Sequence, residues 1–262
     1  MPTVSVLMGI YNCADTLEEA VNCIINQTFT DWELIMCDDY STDNTYEVAL
    51  KLSEKDNRII VLKNEKNLTL APTLNKCAKF AKGEYLARMD GDDICSIDRF
   101  QKEVDILNNH PEYSLVSCQM ELYDDNGVFR VVSHENEPIP ADLIKCSQFC
   151  HAGCMMRKSV FDLVGGYSES SDYNRVEDYD LWTRIYRAGY IGFNIQEPLY
   201  SMRDDRNAIS RRTFQNRKNE IRVKKNIMKW FNLPAKNYLY VVITVLKMIT
   251  PTFVYKALHK MK

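Results

Sequence analysis

The sequence contains no low-complexity tract and no internal repeat, which excludes a repeat array and argues against intrinsic disorder. Its 262 residues are 45% hydrophobic and 26% charged, as in ordinary soluble globular proteins. The length exceeds that of a usual single domain, which has about 100 to 200 residues. We therefore expect one large α/β domain with an appendage.

The pattern of a secretory leader is also missing. No basic stretch precedes the apolar run at residues 4–10, and the polar pair Tyr11-Asn12 ends this run before it reaches the length of a signal peptide. We therefore expect the chain to remain in the cytoplasm. The longest apolar run near the other end, residues 238–246, is shorter than the roughly 20 residues that span a bilayer.

The cysteines lack the spacing of a disulfide framework or of a common zinc site. They number nine and are scattered over residues 13–154, so we expect reduced, mostly buried thiols. Cys146, Cys150, His151 and Cys154 lie within nine residues of one another, but without the paired C-x2-C arms of structural zinc sites. Ordinary packing is the preferred interpretation of this cluster, and zinc is the alternative.

The sequence does contain a regular alternation of short apolar runs with helical patterns. Strands are predicted at 4–10, 32–37, 58–62 and 85–89, with one helix capped by Asp15 and a Glu18 capping box, one capped by Ser41, and one over 72–81 stopped by Gly83. Such alternation implies an α/β fold whose mainly parallel sheet is covered by helices on both faces.

This rhythm breaks in the second half of the chain. After a predicted helix at 97–107 and a strand at 114–117, residues 124–127 read Asp-Asp-Asn-Gly and predict the turn of a hairpin. Beyond it we expect a helix near 141–149, a strand at 153–157, and a helix at 178–188 that Gly189 closes.

Acidic residues follow two of the predicted parallel strands. Asp38 and Asp39 end the second strand, while Asp90, Asp92 and Asp93 follow the fourth. Ligands of open α/β sheets bind beyond the carboxyl ends of the strands. A nucleotide diphosphate would be repelled by these carboxylates unless Mn²⁺ or Mg²⁺, which prefer oxygen ligands, lay between them. A solvated acidic turn is the alternative interpretation.

Four motifs together resemble family 2 glycosyltransferases of the GT-A fold, a Rossmann-like α/β architecture, over about residues 3–212. They are Tyr11-Asn12, Cys37-Asp38-Asp39-Tyr40-Ser41-Thr42-Asp43, Arg88-Met89-Asp90-Gly91-Asp92-Asp93 and Val176-Glu177-Asp178-Tyr179-Asp180-Leu181-Trp182. The resemblance implies an inverting enzyme that uses a nucleotide-sugar donor. UDP is the leading nucleotide by this resemblance, and GDP and dTDP stay open.

The resemblance also implies roles for individual residues. Ile10, Tyr11, Asn12 and Asp39 are expected to bind the base and ribose, Arg88, Asp90 and Gly91 to belong to the nucleotide-sugar site, and Asp92 to ligate the metal, with Asp93 a neighbour. A packed aromatic is the alternative for Tyr11.

Glu177 and Asp178 resemble the catalytic pair of the family, with Asp178 as the general base that deprotonates the acceptor hydroxyl. The alternative is that both acids merely favour a helix N-terminus. His151 is similar to a histidine of the family's donor site, with a buried structural histidine as its alternative. Arg203 and Ser210 resemble a closing loop near the phosphates.

Charge separates the end of the chain from the body. Residues 203–262 hold 15 Lys or Arg and 3 Asp or Glu, a net charge of +12, which leaves −15 on residues 1–202. We place the catalytic domain at 1–212 and a basic amphipathic helical tail at 213–262, which we expect to lie on anionic lipid at the inner face of the cell membrane. A solvated helix or a dimer interface is the alternative, and no nucleic-acid-binding motif accompanies the charge.

Other functions receive less support from the sequence. A nucleotidyltransferase usually has a glycine-rich basic loop after its first strand, and a dehydrogenase has G-x-G-x-x-G; neither pattern is present here. A catalytically silent binding partner with the same fold is a further alternative. The sequence also lacks the Gln-x-x-Arg-Trp motif of processive polymerases, so we expect transfer of one sugar to a growing, lipid-linked surface glycan such as a capsule precursor.

Overall fold

The structure, a computed structural model, describes residues 1–204 and 213–250. Its strands are β1 (Val4–Ile10), β2 (Trp32–Asp38), β3 (Ile59–Lys63), β4 (Tyr85–Arg88), β5 (Ile94–Cys95), β6 (Tyr113–Asp124), β7 (Gly127–Val132), β8 (Met155–Arg157) and β9 (Ile191–Arg203). They form one sheet in the order β3-β2-β1-β4-β8-β6-β9-β5, and β7 pairs with β6 beside this path.

Helices cover both faces of this sheet, and two further helices follow its last strand in the chain. They are α1 (Leu17–Ile25), α2 (Thr45–Lys55), α3 (Leu70–Phe80), α4 (Arg99–Asn109), α5 (Pro140–Leu143), α6 (Lys158–Leu163), α7 (Glu177–Arg187), α8 (Phe214–Trp230) and α9 (Tyr238–Ile249). Short 3-10 turns lie at Ser171–Tyr173 and Ala235–Asn237. The mixed α/β architecture expected from the sequence is confirmed.

The first four large strands are parallel, as the alternating pattern predicted. β1 pairs with β2 on one side and β4 on the other, and the registers Ile10 with Asp38 and Leu7 with Arg88 bring the carboxyl ends of these strands to one edge. Successive side chains of β1 point to opposite faces, so Val6 joins one core and Leu7 the other. The apolar run is therefore that of a strand buried on both sides.

The second half of the sheet is mixed. β8 lies antiparallel between β4 and β6, and β6 pairs over a long stretch with the parallel strand β9. The predicted hairpin turn is confirmed between β6 and β7, where Gly127 has φ 105°. No sequence pattern predicted β9, whose residues include a proline and several polar side chains.

Two hydrophobic cores lie on the two faces of the sheet. One contains the buried sides of α1, α2 and α4, represented by Val21, Leu52 and Val104. The other contains α3, α6 and α7, and Trp182 is its largest side chain. These cores fix the sheet edge at which the acidic motifs lie.

The C-terminal helices pack against the second core. Val223, Ile227 and Met228 of α8 are buried in the same cluster as Trp182. Asn219 of α8 is fully buried and donates hydrogen bonds to the carbonyls of Ser171 and Asn174. No helix within residues 1–204 and 213–250 combines the length and apolarity needed to cross a membrane.

Several helix boundaries differ from the predicted ones. Helix α1 begins at Leu17 without a side-chain cap, so the predicted cap at Asp15 is wrong; instead Thr16 Oγ1 donates to the carbonyl of Gly91. Helix α2 begins at Thr45, and the Ser41 hydroxyl accepts a hydrogen bond from the backbone of Asn12. The Ser41 cap was mispredicted because its hydroxyl bonds to a distant loop.

Two other helices also deviate. Helix α3 ends at Phe80, ahead of Gly83, whose N–H donates to Ser5 Oγ at 2.8 Å. The helix expected at 141–149 ends at Leu143, and Gln148 Nε2 then bonds to the carbonyl of Asp142 in an irregular loop. The helical spacing of Cys146 and Cys150 is therefore not realised.

Candidate active site

A cleft of about 1110 Å³ opens at the carboxyl ends of the parallel strands. Its walls come from the ends of β1 and β4, the turn before α7, and the first residues of α8. Most of the predicted donor-site residues line it, namely Ile10, Tyr11, Asn12, Asp39, Asp90, Gly91, Asp92, Glu177 and Arg203. Folding thus brings four separated motifs to one cavity.

The end of β1 is tied to the loop after β2. Asn12 has φ 50°, and its side-chain oxygen accepts a hydrogen bond of 2.8 Å from the backbone N–H of Thr42. The Tyr11 side chain lines the cleft and is half exposed, so the alternative of a packed core aromatic is not the observed one. This exposed ring can stack on a planar ligand.

Asp39 is buried and fixes a second wall of the cleft. Its carboxylate accepts hydrogen bonds from Asn64 Nδ2 at 2.9 Å, Leu68 N at 2.8 Å and Thr69 N at 2.9 Å. A carboxylate has about four acceptor positions, so one position on Oδ2 remains for a further donor. The loop at residues 64–69 is held in place by this side chain.

Arg88 and Asp90 form an ion pair at the end of β4. Arg88 Nη1 lies 2.7 Å from Asp90 Oδ1, and the arginine is only 2% exposed. Arg88 itself does not line the cleft, whereas Asp90 does. The buried guanidinium therefore orients the Asp90 carboxylate toward the cavity.

Three carboxylates gather at the following turn. Asp90, Asp92 and Asp93 each offer an oxygen, and these atoms lie within 4.8 Å of one another. Asp92 is exposed in the cleft, while Asp93 is buried and accepts hydrogen bonds from Tyr200 Oη and the backbone N–H of Arg203. Burial, and then the charges of Asp90 and Asp92, raise the pKa of Asp93 to about 8.

This cluster fits a hard divalent cation. The donor set is all oxygen. After burial, the charges of Asp90 and Asp92 are the next causes of the raised pKa of Asp93, and a bound cation would offset these charges. Within residues 1–204 and 213–250 no other group of three His, Cys, Asp or Glu side chains is close enough to hold a metal. For the cluster from Cys146 to Cys154 the structure favours ordinary packing over a zinc site. Cys150 and Cys154 are buried, and His151 bonds to Tyr167.

The glycine between the acidic residues allows the turn to lie against β1 and α1. A Cβ at Gly91 would come within 2.9 Å of Cys13 Sγ and 3.2 Å of Ile10 Cγ2. The carbonyl of Gly91 also accepts the hydrogen bond from Thr16 Oγ1. The position of Asp92 therefore depends on the absence of a side chain before it.

Glu177 and Asp178 are the first two residues of α7, and of the two Glu177 lines the cleft. Burial, followed by the charge of Asp178, raises the pKa of Glu177. Asp178 accepts a hydrogen bond of 3.0 Å from Ser147 Oγ, and burial raises its pKa despite this bond. A carboxylate with a raised pKa is a better proton acceptor than an ordinary aspartate.

The remaining predicted residues differ in whether they line the cleft. His151 Nε2 is 2.8 Å from Tyr167 Oη and does not line the cleft, and burial followed by the charge of Arg88 holds its pKa well below the usual value. Arg203 lines the cleft and pairs with Asp125 at 3.3 Å. Ser210 lies outside the described residues.

Some site residues were not predicted from the sequence. Ser147 holds Asp178, and Tyr200 holds Asp93 through contacts between distant segments. Arg175 lines the cleft with φ 65°, a conformation uncommon for non-glycine residues and often found at functional sites. No short sequence motif marks these residues. Arg175 stands two residues before Glu177 and Tyr200 lies in a strand that follows it, whereas Ser147 lies in an irregular loop and had no sequence signal.

Comparison with known proteins identifies the class to which this cleft belongs. The model of the family Glycosyl transferase family 2 matches residues 5–165. The chain therefore belongs to this glycosyltransferase family. Glu177 and Asp178 lie beyond the matched residues.

Individual relatives agree with this assignment. The chain is 37% identical over 260 residues to EpsE of Bacillus subtilis (strain 168), which carries the name of a glycosyltransferase, and the match covers 99% of this chain and 94% of EpsE. It is 30% identical over 189 residues, 72% of each chain, to WfaP of Escherichia coli, named a UDP-Glc:alpha-D-GlcNAc-diphosphoundecaprenol beta-1,3-glucosyltransferase.

A solved structure confirms the fold. Mannosyltransferase PcManGT from Pyrobaculum calidifontis, in complex with GDP-Man and Mn²⁺, superposes with a TM-score of 0.68 at 17% sequence identity. The superposition covers 96% of this chain and 71% of that protein. The fold is thus the GT-A fold expected from the motifs.

Proposed function

We propose that this chain transfers a single sugar, with inversion at its anomeric carbon, from a nucleotide-sugar to a hydroxyl of a growing, lipid-linked surface glycan. One observation supports this proposal most strongly. A single cleft is lined both by Asp90 and Asp92 of the carboxylate cluster and by Glu177 at the start of α7. A donor held in this cleft would meet Glu177, the neighbour of the proposed base Asp178.

The donor site is built from the ends of β1, β2 and β4. Tyr11 offers an exposed ring to the base, Asp39 has one acceptor position for a base N–H, and Asp90 is oriented by Arg88 toward the ribose. His151 lies behind this wall, bonded to Tyr167. UDP is the proposed nucleotide, because WfaP is named for UDP-Glc.

The metal is proposed to be Mn²⁺ or Mg²⁺, held by Asp92 with its acidic neighbours. When bound, it would offset the charge of the diphosphate and stabilise that group as it departs. The Mn²⁺ complex of PcManGT is consistent with this choice. Arg203 lines the same cleft and would face the phosphates.

Asp178 is the proposed general base, with Glu177 beside it. As the acceptor oxygen forms its bond to the anomeric carbon, the carboxylate takes the hydroxyl proton. The bond from that carbon to the diphosphate oxygen breaks, and its electron pair leaves with the nucleoside diphosphate. Attack from the face opposite the leaving group inverts the configuration, and no enzyme nucleophile is required.

The acceptor is proposed to be a lipid-linked intermediate of surface polysaccharide synthesis. WfaP is named for a diphosphoundecaprenol acceptor, and this supports the same class of acceptor here. Such an acceptor lies in a membrane, so the enzyme is proposed to work at its cytoplasmic face. The basic composition of residues 213–250 is consistent with that location.

A thermal-shift panel tests the proposed donor class. The full chain is mixed with UDP-, GDP- and dTDP-sugars, each with Mn²⁺ and with EDTA, and the melting temperature is recorded. We expect one group of donors to raise the melting temperature, and to do so more with Mn²⁺, because ligands that bind only the folded state stabilise it. The absence of a shift with every donor would count against the proposal.

A further inference from the structure

Helix α9 exposes a continuous apolar face. Leu239, Val242, Leu246 and Ile249 are between 50% and 64% exposed, and their spacing places them on one side of the helix. Tyr238 precedes them and is 52% exposed. We call these five residues the α9 face. The opposite side of the helix, with Val241 and Thr244, is buried against the rest of the protein.

Helix α8 does not share this property. Its apolar residues Val223, Ile227 and Met228 are buried in the second core. The basic residues of α8 therefore belong to a helix whose apolar side is already covered by the protein. The amphipathic tail expected from the sequence thus divides into a structural helix and a helix with an exposed apolar face. Of these two helices, α9 is the one that presents exposed apolar side chains in a row.

The segment that carries the α9 face is basic. Residues 213–250 contain eight Lys or Arg and a single acid, Glu220. Glu220 is paired with both Arg217 and Lys224, so its charge is compensated. The exposed lysines of this region are Lys218, Lys225, Lys229, Lys236 and Lys247, the last of them on α9 itself. An anionic surface is therefore the complementary partner.

We infer that the α9 face inserts into the headgroup region of a membrane that contains anionic lipid. An exposed apolar stripe on a basic segment is typical of helices that lie in the interface plane, and a tyrosine at the edge of the stripe suits that depth. The helix has 12 residues, too few to span the bilayer. A stable protein partner would need roughly 20 to 30 residues a side, and lysine is depleted in such interfaces.

The position of α9 relates this surface to the cleft. Helix α8 packs against α9, and its first residues include Gln215 and Asn216, which line the cleft. Helix α8 therefore connects the helix that carries the α9 face to a wall of the cleft, so an acceptor held in the membrane would lie near the enzyme's proposed site. This consequence rests on the proposed function, whereas membrane binding itself does not require it.

Vesicle flotation of the full chain tests the inference. Vesicles of phosphatidylcholine alone are compared with vesicles that also contain phosphatidylglycerol, at low and high salt. We expect flotation with the anionic vesicles, weakened by salt. The double variant Val242→Asp, Leu246→Asp should bind to these vesicles at least about tenfold more weakly. Two apolar side chains that would enter the headgroup region are replaced by anions. The matched control Leu163→Asp changes a leucine that is 65% exposed on α6 and should bind like wild type.

If the α9 face is covered by another part of the chain or by a second copy of it, the same experiment gives different results. If wild type does not float but a chain ending at Thr250 does, then residues 251–262 cover the face and the inference is wrong. It is equally wrong if the double variant floats like wild type, or if light scattering shows that the variant converts a dimer to a monomer without change in flotation. Cleavage of the nucleotide-sugar in solution, without vesicles, is measured on every variant and reports separately on the proposed function.

Discussion

Asp178 and Ser147 make the contact on which the proposed proton transfer depends. The carboxylate is partly buried at the start of α7, and this burial raises its pKa. The Ser147 hydroxyl, donating at 3.0 Å, acts in the opposite direction because it stabilises the ionised form. Burial and this hydrogen bond together set the pKa of Asp178. This pKa determines the lowest pH at which the base is ionised and can accept a proton.

The variant Asp178→Asn is expected to lose sugar transfer. Removing a general base costs about 10²- to 10⁴-fold in rate, whereas the affinity for the donor should change little because Asp178 does not line the donor cleft. Initial rates and donor titrations measure the two quantities. Glu177→Gln is the paired comparison and should lose less rate. Transfer by Asp178→Asn at the wild-type rate would show that the base is assigned to the wrong residue.

The variant Ser147→Ala is expected to change the pH dependence of the rate. Loss of a hydrogen bond to the ionised carboxylate raises the pKa of Asp178, so the acidic fall-off of kcat should move to higher pH, by roughly one unit. Ser147→Thr keeps the hydroxyl and should keep the wild-type profile. An unshifted profile in Ser147→Ala would mean that Asp178 is not the group that titrates.

The sequence predicted the residues of this site that follow strands. Asp39, Asp90 and Asp92 could be placed because the carboxyl ends of parallel strands meet at one edge, and the cleft is found there. Ser147 could not be placed, since its contact with Asp178 joins residues 31 apart and lies in a loop predicted to be helical. Contacts made by irregular segments have no periodic signal.

At the scale of elements, the turn between β4 and β5 couples three parts of the fold. Gly91 lies against Cys13 and Ile10, and its carbonyl is bonded to Thr16 at the start of α1. Any side chain at this position must displace a neighbour, because packed interiors leave little free space. Displacement would move Asp92, the next residue.

The variant Gly91→Ala is therefore expected to weaken Mn²⁺-dependent donor binding. The new Cβ would lie 2.9 Å from Cys13 Sγ, so the double variant Gly91→Ala, Cys13→Ala should regain part of the affinity by removing the sulfur. Calorimetric titration of the donor in the presence of Mn²⁺ measures both. Equal donor affinity in Gly91→Ala and wild type would contradict the close packing of this turn.

The elements themselves were predicted unevenly. The strands β1 to β4 were found because each is a short apolar run, and β1, β2 and β4 are buried on both faces. Strand β9 was not, because its 13 residues mix exposed polar and buried positions beside β6 and contain Pro198. The cap at Ser41 failed because a tertiary hydrogen bond replaced a local one, and α1 begins after Thr16 and not after Asp15.

At the scale of the whole molecule, α8 belongs to the catalytic domain by its contacts. The domain boundary placed at residue 212 reflects the change in net charge along the sequence. It does not reflect the packing, because the apolar side of α8 is part of the second core. Removal of residues 213–262 would expose this core. Point substitutions are therefore the appropriate test of the C-terminal helices.

The variant Asn219→Ala is expected to lower the free energy of unfolding by about 1 to 3 kcal/mol, since it removes a fully buried amide that donates hydrogen bonds to two backbone carbonyls. These are the carbonyls of Ser171 and Asn174, which lie in the wall of the cleft. Urea denaturation measures the loss. Lys225→Ala, at an exposed position of the same helix, should stay within about 0.5 kcal/mol of wild type. Equal stability of the two variants would argue that α8 is not part of the cooperative fold.

The most direct test of the central claim is cleavage of a nucleotide-sugar by the full chain without an acceptor. Release of nucleoside diphosphate is followed for wild type and Asp92→Ala, with Mn²⁺, Mg²⁺ or EDTA. Wild type should cleave its donor slowly and only with a divalent cation, and Asp92→Ala, folded by circular dichroism, should lose this activity. Failure of wild type with every donor, or an Asp92→Ala rate equal to wild type, would contradict a metal-dependent glycosyltransferase centred on Asp92.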